Sequence, residues 1–332
     1  MNWSGGFQYQ PSNNWFLSAT YQAAIGVVLQ RSWNVNQIPT SIALGSDRAL
    51  QDSIVNLGTQ QNYMVYPQFG AVNLLGNFNH STWHSGNFAV EKRYSNGLIF
   101  NATFNLSKSL SNDDTLNYYT RSGKARTAYD QERNFGAYII YELPVGQGRR
   151  FLNNGGLVNT ILGGWKVNLS ENALSDIPLS VTYAGSPNRY LLGVNRVNAI
   201  TPLDQSIVPN YDIGNRFPVP QGQNPYFNIS SFAYPASYTV GSLGARVLEA
   251  PSILWMQFFV MKSWKPRGER LKISVRADGH NLPWKRPQLA APNTTYNLNS
   301  PLTWARFTGT VGDFSNFGTA QANMQLSFRA EF

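Results

Sequence analysis

The chain has 332 residues, of which 13% are charged and 14% aromatic, and its formal net charge is +9. It contains no cysteine, which excludes disulfides, thiolate metal sites and cysteine nucleophiles. No stretch approaches 18 uninterrupted apolar residues, which excludes a transmembrane helix. Lysine and arginine are scattered among polar positions without a dense run, so a nucleic-acid-binding surface is not expected.

Apolar and polar side chains alternate with a period of two in nine segments, and this pattern predicts strands with one apolar and one polar face. The segments are residues 2–10, 15–22, 82–94, 98–107, 134–143, a stretch beginning near 164, 253–262, 271–278 and 324–332. A tilted strand needs about 9–11 residues to cross a bilayer, whereas strands of soluble domains average about five or six. We therefore predict an all-β fold, a transmembrane antiparallel up-and-down β-barrel, as a partial barrel of about 9–12 strands.

The predicted connections alternate between short and long, as in outer-membrane barrels with short periplasmic turns and long extracellular loops. Tight turns are predicted at 11–13, 95–97 and 266–268, and long loops without structure at 23–81, 108–133, 184–252 and 281–319. The exception is 145–160, a glycine-rich connection of intermediate length where a short turn is due.

The strand count also predicts how the chain is organised. With nine strands, the first and the last both run toward the periplasm, which would leave Met1 on the outer side. We therefore expect residues 1–332 to be a single barrel segment, the C-terminal part of a larger barrel, with no plug domain and no signal peptide. Single-chain bacterial barrels have even strand counts, so an additional strand over 303–311 would instead permit a self-closed barrel.

Several short motifs stand in a fixed order between about 63 and 332. They are the hairpin at 81–110, Tyr129-Asp130-Gln131-Glu132-Arg133, Tyr141-Glu142-Leu143-Pro144, Gly163-Gly164-Trp165-Lys166-Val167, Pro178-Leu179-Ser180-Val181, Tyr226-Phe227-Asn228, Gly241-Ser242-Leu243-Gly244-Ala245-Arg246, Asn281-Leu282 and Phe317-Gly318. In this order they resemble TonB-dependent outer-membrane receptors, in the branch with a carboxypeptidase-regulatory-like domain ahead of the plug. The resemblance implies a 22-stranded barrel, an N-terminal plug that engages the inner-membrane TonB complex, and energised uptake of a nutrient. It does not identify the ligand, which could be a carbohydrate, a peptide or a chelate.

The last strand resembles the signal that the β-barrel assembly machinery recognises as an added strand. Its read-out would be Met324, Leu326, Phe328 and Phe332, which share one face with Ala330. The alternative is that Phe332 only packs within an apolar face. Outer-membrane lipid is the other partner that these strands imply.

No catalytic, cofactor-binding or metal-binding residues are expected. His80 and His84 have a spacing that binds metal on a helix, but on a strand an even spacing only places two residues on one face. With three histidines in all and no supporting motif, the sequence does not predict an enzyme. Six tryptophans at strand ends or in loops are expected to join interfacial girdles rather than stack on a ligand. They are Trp33, Trp83, Trp255, Trp264, Trp284 and Trp304.

Three functions follow from these patterns. The favoured one is a segment of a TonB-dependent receptor. The second is a small self-closed outer-membrane barrel that acts as a passive pore or an adhesin. The third is a soluble β-rich carbohydrate binder, which predicts that the apolar side of each strand packs against a second layer of protein.

Overall fold

In the residues that the structure describes, nine long strands form one antiparallel sheet in which each strand pairs with its neighbours in the sequence. The computed structural model describes residues 1–112, 123–153, 156–175, 177–184, 196–202, 226–266, 270–281, 293–296, 305–306 and 323–332. The strands are β1 (Asn2–Ser12), β2 (Trp15–Asn34), β3 (Asn73–Ser95), β4 (Leu98–Ser111), β5 (Arg133–Glu142), β6 (Trp165–Leu174), β7 (Ile253–Trp264), β8 (Lys272–His280) and β9 (Asn323–Glu331). All nine predicted strands are therefore confirmed. The short strand Ala125–Arg126 also pairs with β4.

Strands β2 and β3 are much longer than predicted, with 20 and 23 residues. The register of their pairing shifts between Gly26 and Leu29, where Val28 has a positive φ of 59°. The predicted segment ended at 22 because Ala23, Ala24 and Ile25 are apolar on both faces. The bulge then shifts the two-residue period at Val28, although the pairing continues. Both strands are therefore about twice as long as the 9–11 residues that suffice to cross a bilayer.

The register gives the sheet two chemically different faces, because residues directly opposite each other on paired strands share a face. Phe88 lies opposite Phe104, which lies opposite Phe135. The apolar face comprises this row and its equivalents on the other strands, among them Phe7, Leu17, Ile139, Leu169, Phe258, Val275 and Leu326. The polar face carries Gln8, Thr20, Asn87, Asn105, Asn168, Gln257, Arg276 and Gln325.

The apolar face is exposed. Phe7, Phe88 and Phe328 are 67%, 52% and 70% exposed, so no second layer of protein in the described residues covers these rings. A soluble carbohydrate binder was expected to cover these rings with a second layer of protein, whereas a transmembrane barrel was expected to leave them uncovered by protein. None of the helices in the described ranges is long and apolar enough to cross a membrane.

The sheet is open in the described part of the chain. β1 pairs only with β2, and β9 pairs only with β8. Eight successive antiparallel pairings make β1 and β9 run in the same direction, so direct closure would require a parallel pair. The partial barrel stays a prediction, and the additional strand at 303–311 lies outside the described residues except for 305–306.

One end of the sheet, the turn end, carries the short connections. β1 and β2 are joined at Asn13 and Asn14. β3 and β4 are joined by Asn96 and Gly97, whose positive φ values of 52° and 79° suit a two-residue hairpin turn. The intermediate connection after β5 contains helix α3 (Leu157–Leu162). Residues 267–269 of the turn predicted at 266–268 lie outside the described part of the chain.

At the opposite end, the loop end, the connections are long as predicted, but their described residues contain secondary structure that was not predicted. The β2–β3 connection contains α1 (Thr40–Ala43), α2 (Arg48–Asn56) and a 3-10 helix (Gln60–Tyr63). Beyond β6, another 3-10 helix (Ile229–Ser231) and two-residue strands stand around a buried cluster. These strands pair as Pro178–Leu179 with Leu248–Glu249, Asn198–Ala199 with Phe232–Ala233, and Thr182–Tyr183 in parallel with Thr295–Tyr296. Two-residue strands are too short to show a period in the sequence.

Candidate functional site

The polar face holds a cavity of about 730 Å³ over the four central strands, β4 to β7. Amide and hydroxyl side chains dominate its wall, and two aromatic rings border it. The lining residues are Asn101, Thr103, Gly136, Ala137, Tyr138, Ser170, Glu171, Asn172, Leu174, Trp255 and Gln257. Such a wall offers many hydrogen-bond donors and acceptors with little charge, which suits an uncharged polar ligand.

Two rows of cross-strand partners build this cavity. In the first row, Tyr138 lies opposite both Asn101 and Ser170, and Ser170 lies opposite Gln257. The second row is Thr103, Gly136, Asn172 and Trp255. A Cβ atom at Gly136 would lie 3.3 Å from Thr103 Oγ1 and 3.4 Å from Asn172 Oδ1. The glycine therefore leaves the middle of the second row free of a side chain.

This cavity was not predicted from the sequence, because asparagine, threonine and glutamine on strands form no motif. The only sign of the cavity in the sequence was the set of polar residues that alternate with apolar ones in each predicted strand. Only the register between strands, which the sequence does not show, brings residues from 101 to 257 together. Trp255, expected in an interfacial girdle, lines the cavity instead.

A cluster of charged side chains joins the loop end of β4 to the packed segments that precede β7. Asp130, which is 1% exposed, accepts hydrogen bonds from the backbone N–H of Ser109 at 2.6 Å and from Arg126 Nε at 2.8 Å. Arg126 also donates to Glu249 at 2.7 Å. Burial lowers the pKa of Arg126, but its hydrogen bonds to Asp130 and Glu249 outweigh burial and raise it. We call Arg126, Asp130 and Glu249 the loop-end clamp.

Glu132 connects the neighbouring strand to this region. Its carboxylate accepts a hydrogen bond from Lys108, which lowers the pKa of Glu132 below its usual 4.5 against the opposing effect of burial. A lowered folded pKa means that the contact stabilises the folded state above pH 4.5 and is lost as the pH falls through the folded value.

We therefore expect acid to loosen this corner of the sheet. The backbone N–H of Ser107 donates to the Glu132 carbonyl at 2.8 Å. Once the pH dependence of the intrinsic exchange rate is corrected for, hydrogen exchange at this N–H should become faster as the pH falls below 4.5. Glu132→Gln should weaken this acid response, because it keeps the shape of the side chain and removes its titration. An equal acid response in both proteins would refute the assignment to Glu132.

The structure places Met324, Leu326 and Phe328 on the apolar face of β9, the edge strand of the described sheet. Phe332 follows β9 and is 98% exposed, so packing within the described protein does not account for it. Recognition of these residues by the assembly machinery stays a prediction.

His80 and His84, for which the sequence predicted no metal site, both lie in β3. His84 is hydrogen-bonded through Nδ1 to the Tyr21 hydroxyl at 2.7 Å on the apolar face. In the described ranges, no three histidine or carboxylate side chains stand close enough to hold a metal ion. Trp264 is the last residue of β7, at the turn end, and its place in a girdle stays a prediction. Trp284 and Trp304 lie outside the described residues.

Comparison with known proteins identifies the type of domain. A family model described as an outer membrane beta barrel domain matches residues 1–329. Among solved structures, the outer membrane transporter YddB from Escherichia coli matches with a TM-score of 0.37 and 10% sequence identity. That match covers 98% of this chain and 31% of the YddB chain, so this chain spans about a third of the length of that transporter. No curated protein matches the sequence.

Proposed function

Because the chain belongs to the family of outer membrane beta barrel domains and resides in the outer membrane, we propose that it forms part of the wall of a TonB-dependent receptor. In this role it binds a nutrient and contributes to its energised uptake. The observation that carries the proposal is the division of one sheet into an exposed apolar face and a polar face with a cavity. Hydrocarbon covers the first face, and the second lines the route of the ligand.

The cavity supports binding rather than chemistry. Its hydrogen-bonding residues, such as Asn101, Asn172 and Gln257, suit the hydroxyl or amide groups of a carbohydrate, a peptide or a chelate. We propose that the chain is not an enzyme. Energy comes from the inner-membrane TonB complex through the plug domain of such a receptor.

Transport assays with strain comparisons test this function. Uptake of labelled oligosaccharides, peptides and iron chelates is measured in cells with the full-length gene, without it, and without TonB. The proposal predicts one class of ligand whose uptake is lost in both deletion strains. Uptake that needs the gene but not TonB would instead identify a passive pore, which is the second candidate function.

In the part of the chain that the structure describes, β1 and β9 each pair on one side only, which favours a segment of a larger barrel over a self-closed pore. Because these edges run in the same direction, closing them on each other would create a parallel pair in an otherwise antiparallel wall. A chain that forms steady ion-conducting channels by itself in planar bilayers would contradict this part of the proposal.

Phe332→Ser is expected to reduce the amount of assembled protein in the outer membrane. If the assembly machinery binds the terminal ring, its loss removes about 1.5–3 kcal/mol of apolar burial, which corresponds to an affinity roughly ten- to a hundredfold weaker. Quantitative immunoblotting of heat-modifiable protein in membrane fractions measures this effect. Ser327→Ala, a change on the opposite face of β9, is the matched control. Equal assembly of both variants would refute the role of Phe332.

A further inference from the structure

Helix α3 is fastened to the turn end of the sheet by three side chains. The indole N–H of Trp165 donates to the Ile161 carbonyl at 3.0 Å, and that of Trp264 donates to the Thr160 carbonyl at 2.9 Å. Lys262 Nζ donates to the Ile161 carbonyl at 3.0 Å and also to the carbonyl of Gly163. These bonds satisfy carbonyl groups that a helix end leaves without partners.

All three anchoring residues belong to the apolar face. Lys262 lies opposite Trp165 on β6, and Trp264 is two residues further along β7 on the same face. Lys262 is only 4% exposed, and its ammonium group lies 5.2 Å and 5.5 Å from the ring centroids of the two tryptophans. α3 therefore lies at the turn end on the apolar side of the sheet.

The outer surface of α3 is apolar. Leu157 and Ile161 are four residues apart, which places them on one side of a helix, and they are 81% and 64% exposed. Leu162 and, just before the helix, Phe151 and Leu152 are also exposed. Exposed apolar residues of this density normally mark an interaction surface.

We propose that α3 is an interfacial helix that inserts Leu157 and Ile161 into the periplasmic leaflet of the outer membrane, with phospholipid as its partner. The helix continues the apolar face, which meets hydrocarbon in an outer-membrane barrel. Tryptophans concentrate at the level of the headgroups, and two of them hold α3 at that level. The inference rests on the outer-membrane location and not on transport.

The charges next to α3 also fit a phospholipid surface. Arg149 has a side chain that is 44% exposed even though it bridges Glu142 at 3.0 Å. The guanidinium of Arg150 lies 5.3 Å from the ring centroid of Phe151. Basic residues beside exposed aromatic and aliphatic residues are typical of segments that lie in the plane of a membrane surface.

Site-directed spin labelling tests this proposal. The chain has no cysteine, so Leu157→Cys and Ile161→Cys each provide one attachment site within it, in full-length protein whose other cysteines are replaced by serine. The labelled protein is reconstituted in vesicles of phosphatidylethanolamine and phosphatidylglycerol. Collision rates with oxygen and with a water-soluble nickel chelate give the depth of each label. Ser46→Cys, in an exposed loop, is the water reference, and Leu169→Cys is the hydrocarbon reference.

Both α3 labels should lie about 5–10 Å inside the headgroup boundary, at values between the two references. Nickel collision rates equal to those at Ser46 would place α3 in water and overturn the proposal. Low collision rates with both reagents would show that protein covers α3, such as another domain or a second copy, and would also overturn it. A heat-modifiable gel shift confirms that each variant is folded.

Lys262→Met tests whether Lys262 anchors α3 to the sheet, separately from whether α3 inserts into the membrane. The substitution retains the approximate length of the side chain and removes its hydrogen bonds to Ile161 in α3 and to Gly163 just after the helix. The label at Ile161 should then move toward the values of the water reference, while the label at Leu169 stays unchanged. An unchanged label at Ile161 would contradict the anchoring role of Lys262.

Discussion

Phe104→Lys is expected to destabilise the membrane-inserted protein by about 2–4 kcal/mol, the cost of a lysine on the lipid side near the middle of a barrel strand. Phe104 lies between Phe88 and Phe135 in a row of three aromatic residues on the apolar face. The ammonium group would have to enter hydrocarbon or bend the side chain toward an interface. Urea-induced unfolding in vesicles, followed by tryptophan fluorescence, measures the change in free energy.

Thr103→Lys is the matched control for this prediction. Thr103 is the preceding residue of β4 and points to the polar face, where it lines the cavity. A lysine there stays in water, so the free energy of unfolding should change by less than about 0.5 kcal/mol. Equal destabilisation by the two substitutions would show that the two faces of β4 do not differ as proposed.

Asp130→Ala should open the loop end of β4. The substitution removes the acceptor for Ser109 N–H and leaves the largely buried Arg126 without one of its two hydrogen-bonded carboxylates. Removing one partner of a buried ion pair costs about 3–5 kcal/mol, and the lower end applies because Glu249 still accepts from Arg126.

Hydrogen exchange measures this local effect. A loss of about 3 kcal/mol corresponds to exchange of Ser109 N–H that is faster by a factor on the order of a hundred. Asp130→Asn can still accept the hydrogen bond from Ser109 but lacks the charge, so its exchange should be intermediate. If Asp130→Ala leaves the exchange of Ser109 unchanged, the loop-end clamp does not hold this corner.

The regular strands of the sheet could be predicted because the same physical cause, a different medium on each face, acts on every residue along a strand. In β4, Leu98, Phe100 and Phe104 alternate with Asn101 and Thr103, and water on one side and an apolar medium on the other impose this period of two on any such strand. The same cause operates in every regular strand. The strand centres were therefore predictable one at a time, without knowledge of their partners.

The pattern failed where another interaction decides the structure. The bulge near Val28 removes the alternation although the pairing of β2 and β3 continues. The packed segments at the loop end depend on contacts between distant parts of the chain. For example, Tyr238 donates to Asp52 Oδ1 at 2.8 Å, which joins α2 to a segment more than a hundred residues later. No local pattern encodes such a contact.

The candidate site depends on register even more strongly. Gln257 and Asn101 lie in one row only because three successive pairings have a particular offset. A shift of a single residue would move either side chain to the apolar face. The sequence shows which residues are polar, whereas the sheet determines which of them meet. For the same reason, the fastening of α3 by Trp165 and Trp264 was not predictable.

Spin labelling along β4 tests most directly whether hydrocarbon covers the apolar face. Single cysteines are placed at each position from 98 to 107 in the full-length protein and carry a nitroxide label attached before reconstitution in vesicles, and the collision rates of each label with oxygen and with a water-soluble nickel chelate are measured. We predict a strict alternation, in which labels at odd positions collide mainly with the nickel chelate and labels at even positions mainly with oxygen. Labels at even positions that collide with the nickel chelate as fast as those at odd positions, or with neither reagent, would contradict a membrane-facing sheet.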